Sequence, residues 1–322
     1  MRRLFLALLA VVLPAGAGGP LQLERSTDAM GATFSVVLYG SDRASMNQAI
    51  DAAFEEAHRL DALLSNYRPA SEWSLINREA AVRPVAVSPE LFRLLSDCIE
   101  YSRASEGTFD VTVGPLMHAW GFSGGDHHVP SPDQIRSALE LVGYRHVQLD
   151  ARTETVRFDR PGVEIDPGGV GKGYAVDRMV EILRARGIRS ALVAASGSSI
   201  FGLGNPPEEL RGWPVSIADP WDHRQNAAQV FLKDQSLSTS GSYQKSFRAG
   251  GHRYSHIMDP RRGVPAENAV QVTVIAPRAI DSEVWAKPYF IQGYAWTAAH
   301  KPKSWRVLHC ENTPGAACSW VE

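Results

Sequence analysis

The chain has 322 residues, of which 44% are hydrophobic, and this is enough to bury the core of one large domain or of two interleaved halves. Its 33 basic and 35 acidic residues leave a net charge of −2, so no overall field attracts nucleic acid or an anionic membrane. Any charged substrate must therefore be bound by a local arrangement of charges.

The N-terminus has the three zones of a secretory signal. Arg2 and Arg3 precede an apolar run at 4–12, and small residues follow at 15–19. The apolar run is too short to span a bilayer as a mature helix, and no cysteine at its end offers a lipid anchor. We expect residues 1–19 to be a cleaved signal peptide and residues 20–322 to form a single exported domain without a transmembrane span, in the periplasm or associated with the cell envelope.

The first half of the chain alternates helical and strand patterns. A strand is predicted at 34–38, followed by a helix with apolar residues at helical spacing between Met46 and Leu64. Two further helices are predicted to begin at Ser88-Pro89 and at Ser131-Pro132, because each pair supplies an N-cap and a proline in the first turn. They are expected to end near the glycines at 107 and 143.

The second half of the chain is richer in strands. Short β patterns occur at 147–149, 155–158 and 163–165, and a helix with one apolar face between Val176 and Leu183 stops at Gly187. A strand at 191–194 follows, and the region 213–275 is strand-rich with an irregular polar centre. These patterns predict an α+β fold, in which helices pack on mixed or antiparallel sheets.

A glycine-rich loop follows the predicted strand at 163–165. It reads Asp166-Pro-Gly-Gly-Val-Gly-Lys-Gly173 and leads into a helix. Glycine permits positive φ and a close approach to a bulky anion, and the helix points its free N–H groups at the same place. The spacing is neither that of a P-loop nor that of a Rossmann fingerprint. Two interpretations remain open, an anion-binding loop and a purely structural loop, which also uses glycine.

Several polar and aromatic residues are predicted at the ends of elements, where sites are usually built. Tyr67 and Phe109 can stack against a flat ring and Asp110 can accept a hydrogen bond from it, although either aromatic alone is more typical of a core. Further on, His256 can act as a general base and Arg261 or Arg262 as a phosphate partner. The alternative is that these are packed structural residues.

Three cysteines in an exported chain leave at least one unpaired. Cys310 and Cys318 flank a Thr-Pro-Gly turn at 313–315 that can bring them together, so both a bridged and an unbridged state remain open. Cys98 lies in a predicted amphipathic helix, and there we expect a buried, inert thiol.

The order of these motifs resembles the ApbE family, the flavin transferases that move FMN from FAD onto a threonine or serine of a partner protein. The resemblance covers most of residues 30–293 and implies an ApbE-like, T-fold-like α+β structure. The matching segments are Met30-Gly-Ala, Leu64-Ser-Asn-Tyr-Arg-Pro-Ala-Ser71, Gly107-Thr-Phe-Asp-Val-Thr-Val-Gly-Pro-Leu116, Trp120-Gly-Phe122, Ile165-Asp-Pro-Gly-Gly-Val-Gly-Lys-Gly-Tyr-Ala-Val-Asp177, Ser240-Gly-Ser-Tyr243 and Ser255-His-Ile-Met-Asp-Pro260.

The resemblance also implies which residues bind the donor substrate FAD and an acceptor redox protein. His256 matches the histidine that helps to deprotonate the acceptor hydroxyl, whose attack on the FMN phosphorus expels AMP. The residues implied in FAD binding are Met30, Tyr67, Thr108, Phe109, Asp110, Asp166, Lys172, Ile257 and Met258. Two other activities remain open, a protein of the same fold that binds FAD without transferring it, and an FAD pyrophosphatase.

The metal motif departs from the family pattern. The resemblance implies magnesium, bound at the positions of Gly169, Glu283, Ala286 and Lys287. The family has an aspartate where this chain has Glu283 and a threonine where it has Lys287, while Asp281 lies two positions out of register. An ammonium repels a divalent ion. Either Lys287 therefore turns away from the site, or its charge takes over part of the work of the ion.

Overall fold

The computed structural model describes residues 19–322. The predicted signal peptide, apart from Gly19, lies outside the described residues. The helices are α1 (Arg43–Leu64), α2 (Glu72–Glu79), α3 (Pro89–Ala104), α4 (Gly114–Ala119), α5 (Pro132–Leu139), α6 (Gly171–Ala185), α7 (Ala279–Gln292) and α8 (Tyr294–His300), with short 3₁₀ turns at Tyr144–His146 and Pro167–Gly169.

The strands are short and numerous. They are β1 (Leu21–Ala29), β2 (Ala32–Gly40), β3 (Val85–Ala86), β4 (Val147–Asp150), β5 (Thr155–Phe158), β6 (Ala191–Ala195), β7 (Ser199–Leu203), β8 (Trp213–Ala218), β9 (Asn226–Leu232), β10 (Gln235–Gly241), β11 (Ser246–Ala249), β12 (His252–Ser255), β13 (Met258–Asp259), β14 (Val264–Pro265), β15 (Ala269–Ala276), β16 (Arg306–Glu311) and β17 (Ser319–Trp320).

An eight-stranded sheet organises the fold, in the order β1-β2-β6-β7-β10-β15-β16-β17, and each neighbouring pair is antiparallel. Helices α1 and α6 bury one core with strands β1, β2, β6 and β7, and α7 buries another with β15 and β16. A smaller sheet, β3-β5-β4, packs with α2 and α3. The α+β prediction is confirmed.

The predicted helix starts are confirmed by their caps. The Ser88 hydroxyl accepts a hydrogen bond from the Leu91 amide at 3.4 Å, and Ser131 forms a reciprocal capping box with Gln134. The first predicted strand, however, is the second in the chain. Strand β1 precedes it and pairs with it through a two-residue turn at Met30-Gly31.

The strand predicted at 163–165 is absent, because this segment makes its hydrogen bonds with side chains rather than with a neighbouring strand. The Ile165 amide donates to Asn77 Oδ1 at 2.9 Å, and the Ile165 carbonyl accepts from Asn77 Nδ2 at 3.0 Å and from Trp73 Nε1 at 3.1 Å. Val163 and Ile165 are buried, as the apolar pattern indicated. These contacts lead the chain directly into the glycine-rich loop.

Helix α7 starts beside helix α6. The carboxylate of Asp177, on α6, accepts hydrogen bonds from the Ala279 amide at 2.7 Å and the Ile280 amide at 2.9 Å, and so caps the N-terminus of α7. Burial raises the pKa of Asp177 to about 6, and these two amides oppose the shift. The cap fixes the position of α7, which carries Glu283 and Lys287 one turn apart.

The C-terminal strands close one edge of the sheet. Cys310 on β16 is joined by a disulfide to Cys318, which confirms the bridged alternative. Cys98 is fully buried in α3, which confirms the expected buried thiol, and burial raises its pKa. Between residues 19 and 322 there is no helix long and apolar enough to cross a membrane.

Candidate functional site

The glycine-rich loop folds as a 3₁₀ turn that runs into helix α6. Asp166 opens it, because its Oδ1 accepts a hydrogen bond from the Gly168 amide at 2.7 Å. Its Oδ2 accepts one from Asn66 Nδ2 at 3.2 Å. Burial raises the pKa of Asp166, and the nearby carboxylate of Glu164 adds to the effect. The Asp166 side chain is therefore part of the loop's internal framework.

The glycines serve close packing rather than unusual backbone angles. Glycine permits positive φ, but the four glycines at 168, 169, 171 and 173 all lie outside the positive-φ region. A Cβ at Gly173 would lie 2.4 Å from the Ala279 carbonyl oxygen, and one at Gly171 would lie 2.9 Å from Met30 Cε. Glycine is required here because helix α7 and neighbouring side chains approach the loop closely.

The carboxylate of Glu283 lies at the start of helix α6, where the Gly173 amide donates to its Oε2 at 2.5 Å. Lys172 Nζ lies 3.1 Å from Glu283 Oε1. Burial alone would raise the pKa of Glu283, but the charges of Lys172 and Lys287 together with the Gly173 amide hold it below its ordinary value. Glu283 is therefore a buried carboxylate that is ionised and fully paired.

Lys287 completes this polar cluster. Its Nζ donates to the Gly169 carbonyl oxygen at 3.0 Å and to the Glu283 carbonyl oxygen at 2.8 Å. Burial lowers the pKa of Lys287 to about 8, and the Glu283 carboxylate opposes the shift. At neutral pH the Lys287 side chain is thus mainly in its protonated, charged form. We call Lys172, Glu283 and Lys287 the lysine-glutamate cluster, and it carries one net positive charge.

The cluster does not fit the divalent cation that the family resemblance implies. The Gly169 carbonyl, an expected ligand, accepts a hydrogen bond from Lys287, and the Glu283 carboxylate is paired with Lys172 and Gly173. A divalent ion about 4 Å from the Lys287 ammonium would be repelled by about 8 kcal/mol at an effective dielectric constant near 20. Within the described part of the chain, no group of three or more His, Cys, Asp and Glu side chains forms a metal site.

His256 lies between strands β12 and β13, and its ring is oriented by one carbonyl group. The Lys245 carbonyl oxygen lies 3.1 Å from His256 Nδ1 and also accepts from the His256 amide at 3.0 Å. Since a carbonyl only accepts, Nδ1 carries the proton, and Nε2, which has no hydrogen-bond partner among residues 19–322, presents a lone pair. Burial lowers the pKa of His256 to about 4, with contributions from the charges of Lys245, Lys287 and Lys172. The imidazole is therefore neutral at pH 7 and lies within electrostatic range of the lysine-glutamate cluster.

Met30 and Phe109 also adjoin the glycine-rich loop. Met30 sits at the tip of the β1-β2 hairpin with φ of 53°, a conformation that costs a non-glycine residue about 1 kcal/mol or more. Its amide donates to Asp61 Oδ1 at 2.9 Å, which holds the tip in place. The Phe109 ring lies 3.0 Å from the point where Gly169 would carry a Cβ. Both predicted residues are thus brought to the loop.

Other predicted FAD-binding residues have partners within the protein. The Thr108 hydroxyl donates to the Ser105 carbonyl at 2.6 Å. Asp110 accepts from the Thr112 amide and hydroxyl at 2.9 and 2.7 Å and from the Tyr144 amide at 2.8 Å, and burial raises its pKa. These bonds shape the turn that positions Phe109. Contact of Thr108 and Asp110 with a flavin stays a prediction.

The remaining predicted residues differ widely in exposure. Tyr67 is 82% exposed, whereas Ile257, Met258 and Ala286 are buried in cores. Arg261 is held by Asp259 at 3.1 and 3.2 Å, and Arg262 lines a separate cleft of about 340 Å³. Neither arginine is part of the lysine-glutamate cluster.

Two residues of the site were not predicted. Asn66 hydrogen-bonds Asp166, and its buried Oδ1 has no hydrogen-bond partner among residues 19–322. It lies inside the Ser-Asn-Tyr motif at 65–67, in which only Tyr67 was predicted to bind FAD. Lys245 orients His256 through its backbone carbonyl, and a backbone role of this kind leaves no signal in residue type.

The chain is similar in sequence and in structure to known flavin transferases. The model of the ApbE family matches residues 30–305. The FAD:protein FMN transferase of Salmonella typhimurium is 33% identical over 276 residues, which are 82% of this chain and 77% of that protein. The FAD:protein FMN transferase of Treponema pallidum is 32% identical over 270 residues, 80% and 74% of the two chains.

Two solved structures show the same similarity. The ApbE protein of Thermotoga maritima superposes with a TM-score of 0.86 at 28% identity, covering 94% of this chain and 97% of the other. The flavin transferase ApbE from Vibrio cholerae gives a TM-score of 0.79 at 27% identity, covering 94% and 96%.

Proposed function

The chain belongs to the ApbE family, and from that premise we propose that it is an FAD:protein FMN transferase. In this reaction FMN is moved from FAD to a serine or threonine side chain of an acceptor redox protein, and AMP is released. One observation carries the proposal: a neutral His256 with a free Nε2 lies within electrostatic range of a positively charged cluster at a glycine-rich helix start. A base and an anion-binding site are the two parts that this transfer requires.

The donor substrate would be bound through its diphosphate. The net positive charge of the lysine-glutamate cluster and the N-terminus of helix α6 favour an anion at the glycine-rich loop. Met30 and Phe109 flank the same loop and offer apolar surface for the rest of the dinucleotide. The buried Oδ1 of Asn66, which has no hydrogen-bond partner within the described part of the chain, supplies an acceptor for a donor group of the substrate.

The transfer itself is a displacement at phosphorus. The acceptor hydroxyl oxygen bonds to the phosphorus of the FMN half, and the bond from that phosphorus to the bridging oxygen breaks, so that AMP departs with that oxygen. The hydroxyl proton passes to His256 Nε2. Positive charge near the diphosphate stabilises the charge that develops on the leaving phosphate. Magnesium, which the resemblance implies, does not fit the lysine-glutamate cluster, and no step here depends on it.

Export of the protein is part of the proposal. The pattern of residues 1–19 supports a signal peptide, and the disulfide between Cys310 and Cys318 supports an oxidising compartment such as the periplasm. The acceptor would then be an exported or membrane-bound redox protein.

One assay tests the transferase proposal against its alternatives. The purified protein is incubated with FAD and a candidate acceptor redox protein, and free AMP and covalent flavin fluorescence on the acceptor are measured. AMP with a labelled acceptor indicates a transferase, AMP with free FMN indicates a pyrophosphatase, and neither product indicates a protein that only binds FAD. His256→Asn should lower transfer by about 10²- to 10⁴-fold and leave FAD binding intact. Full transfer by this variant would remove His256 from the mechanism.

A further inference from the structure

We propose that the Lys287 ammonium occupies the place of a divalent cation, so that this chain binds the FAD diphosphate and transfers FMN without a metal ion. The inference rests on the proposed function and specifies how its anion-binding site works. Lys287 Nζ contacts the Gly169 carbonyl oxygen at 3.0 Å, and this is the atom expected to bind the ion.

The hydrogen bonds of Lys287 leave one donor for a ligand. An ammonium has three N–H groups, and two of them are directed at the carbonyl oxygens of Gly169 and Glu283. The nearest carboxylate oxygen, Glu283 Oε1, is 4.0 Å from Nζ, too far for a hydrogen bond. No other acceptor among residues 19–322 is bonded to it, and the side chain is 21% exposed. The third N–H group is thus available to a phosphate oxygen.

The charges of the cluster also favour this role. Lys172 is 3.1 Å from the Glu283 carboxylate and neutralises it, and the Gly173 amide bonds the second oxygen of the same carboxylate. The positive charge of Lys287 is therefore not neutralised within the cluster and can attract an anion. A charge-assisted hydrogen bond from an ammonium to a phosphate is one of the stronger polar contacts available to a protein.

A metal ion would have to displace these contacts. It would need the Gly169 carbonyl, which accepts from Lys287, and the Glu283 carboxylate, which is paired with Lys172. The Lys287 Cε also lies near the loop, 3.7 Å from the point where Gly169 would carry a Cβ. Lys287 is held in the site by the two hydrogen bonds of its Nζ.

The first test uses the unaltered protein. AMP release, acceptor labelling and FAD affinity, the last by quenching of flavin fluorescence, are measured after treatment with EDTA and again with excess magnesium. Binding of Mn²⁺ to the protein with and without FAD is followed by electron paramagnetic resonance. We expect the same rates and FAD affinity in both conditions and no bound Mn²⁺. Loss of transfer or of FAD affinity with EDTA, restored by magnesium, would overturn the inference.

The second test uses variants of the lysine. Lys287→Met keeps the length of the side chain and removes its charge, and it should weaken FAD binding by about 10- to 100-fold, the usual loss for a charge-assisted hydrogen bond. Lys287→Arg keeps the charge and should bind FAD more tightly than Lys287→Met. The exposed Lys233, whose Nζ bonds the Leu210 carbonyl and no residue of the site, provides the control variant Lys233→Met, which should not differ from the unaltered protein. An unchanged FAD affinity in Lys287→Met would refute the role of the ammonium.

A third variant restores the family's residue pair. The double variant Glu283→Asp, Lys287→Thr should bind Mn²⁺, and its FAD affinity should depend on magnesium. If it shows neither property, this would count against the idea that the Lys287 ammonium occupies the position of a metal ion. The two proposals fail in different ways. If neither AMP nor labelled acceptor forms in any condition, the transferase proposal fails, while the dependence of FAD affinity on Lys287 and on magnesium still decides the inference.

Discussion

At Gly173, helix α6 packs directly against the start of helix α7, and replacement of this glycine by alanine is expected to disturb both the fold and the site. An added Cβ would lie 2.4 Å from the Ala279 carbonyl oxygen and 2.9 Å from Ile280 Cα. Both are backbone atoms, which no side-chain rotation can move away. The helices would have to separate by about 1 Å to reach ordinary contact.

The cost follows from the contacts that this separation breaks. Overpacking in a core costs about 1–3 kcal/mol. The bond from the Gly173 amide to the Glu283 carboxylate, 2.5 Å long, joins a charged group and is worth about 1.5–3 kcal/mol. The better helix propensity of alanine returns up to about 1 kcal/mol. Gly173→Ala should therefore lower the free energy of unfolding by about 3 kcal/mol.

Gly171→Ala is the matched control, because it makes the same change one half-turn earlier in the same helix. Its Cβ would meet Met30 Cε at 2.9 Å, the flexible end of a side chain. We expect the free energy of unfolding to change by less than about 1 kcal/mol. FAD affinity should fall about fivefold as Met30 is displaced, equivalent to about 1 kcal/mol of apolar contact. Urea unfolding followed by circular dichroism measures both variants. Equal stability of the two, or no loss in Gly173→Ala, would refute the argument from close helix packing.

Three further predictions follow from other parts of the structure. Because the pKa of His256 is lowered to about 4, the base stays neutral well below its ordinary range, and kcat/KM for transfer should hold its value down to about pH 5; an acid limb near 6.5 would contradict the lowered pKa of the ring. Met30→Asn should stabilise the protein by about 1 kcal/mol in thermal unfolding, because asparagine tolerates the positive φ of the β1-β2 turn, and it should weaken FAD binding. An increase in both stability and FAD affinity would argue against a contact between Met30 and the ligand. Cys310→Ser opens a disulfide loop with a sequence separation of 8 and should lower the free energy of unfolding by about 2.5 kcal/mol, a loss that a reducing agent should reproduce in the unaltered protein.

The sequence carries local signals well and tertiary contacts poorly, as two segments illustrate. The helix starting at Pro89 was predictable because Ser88 supplies its own cap. The segment 163–165 was predicted as a strand from its apolar alternation, and its two apolar residues are indeed buried. Its backbone partners, however, are the side chains of Asn77 and Trp73, which are 88 and 92 residues away from Ile165. Periodicity reports burial, and it cannot distinguish a strand from an extended segment bonded to side chains.

In the glycine-rich loop, too, the sequence predicts a local feature but not the tertiary contacts that explain it. Its position at the site was predictable, since glycines before a helix are typical of anion sites. The reason for the glycines was not, because the crowding comes from Ala279, Met30 and Phe109, which belong to three separate parts of the chain. A sequence shows that a side chain is missing at a position, but only the fold shows what occupies its place.

The two departures from the metal motif that the family resemblance implies form one paired change. The Glu283 carboxylate reaches both Lys172 and the Gly173 amide at the start of helix α6. Lys287, one turn further along α7, extends to the Gly169 carbonyl of the same loop. Beside a bound divalent ion, the Lys287 ammonium would be repelled. We therefore expect conversion to a metal site to require that both replacements are reversed together.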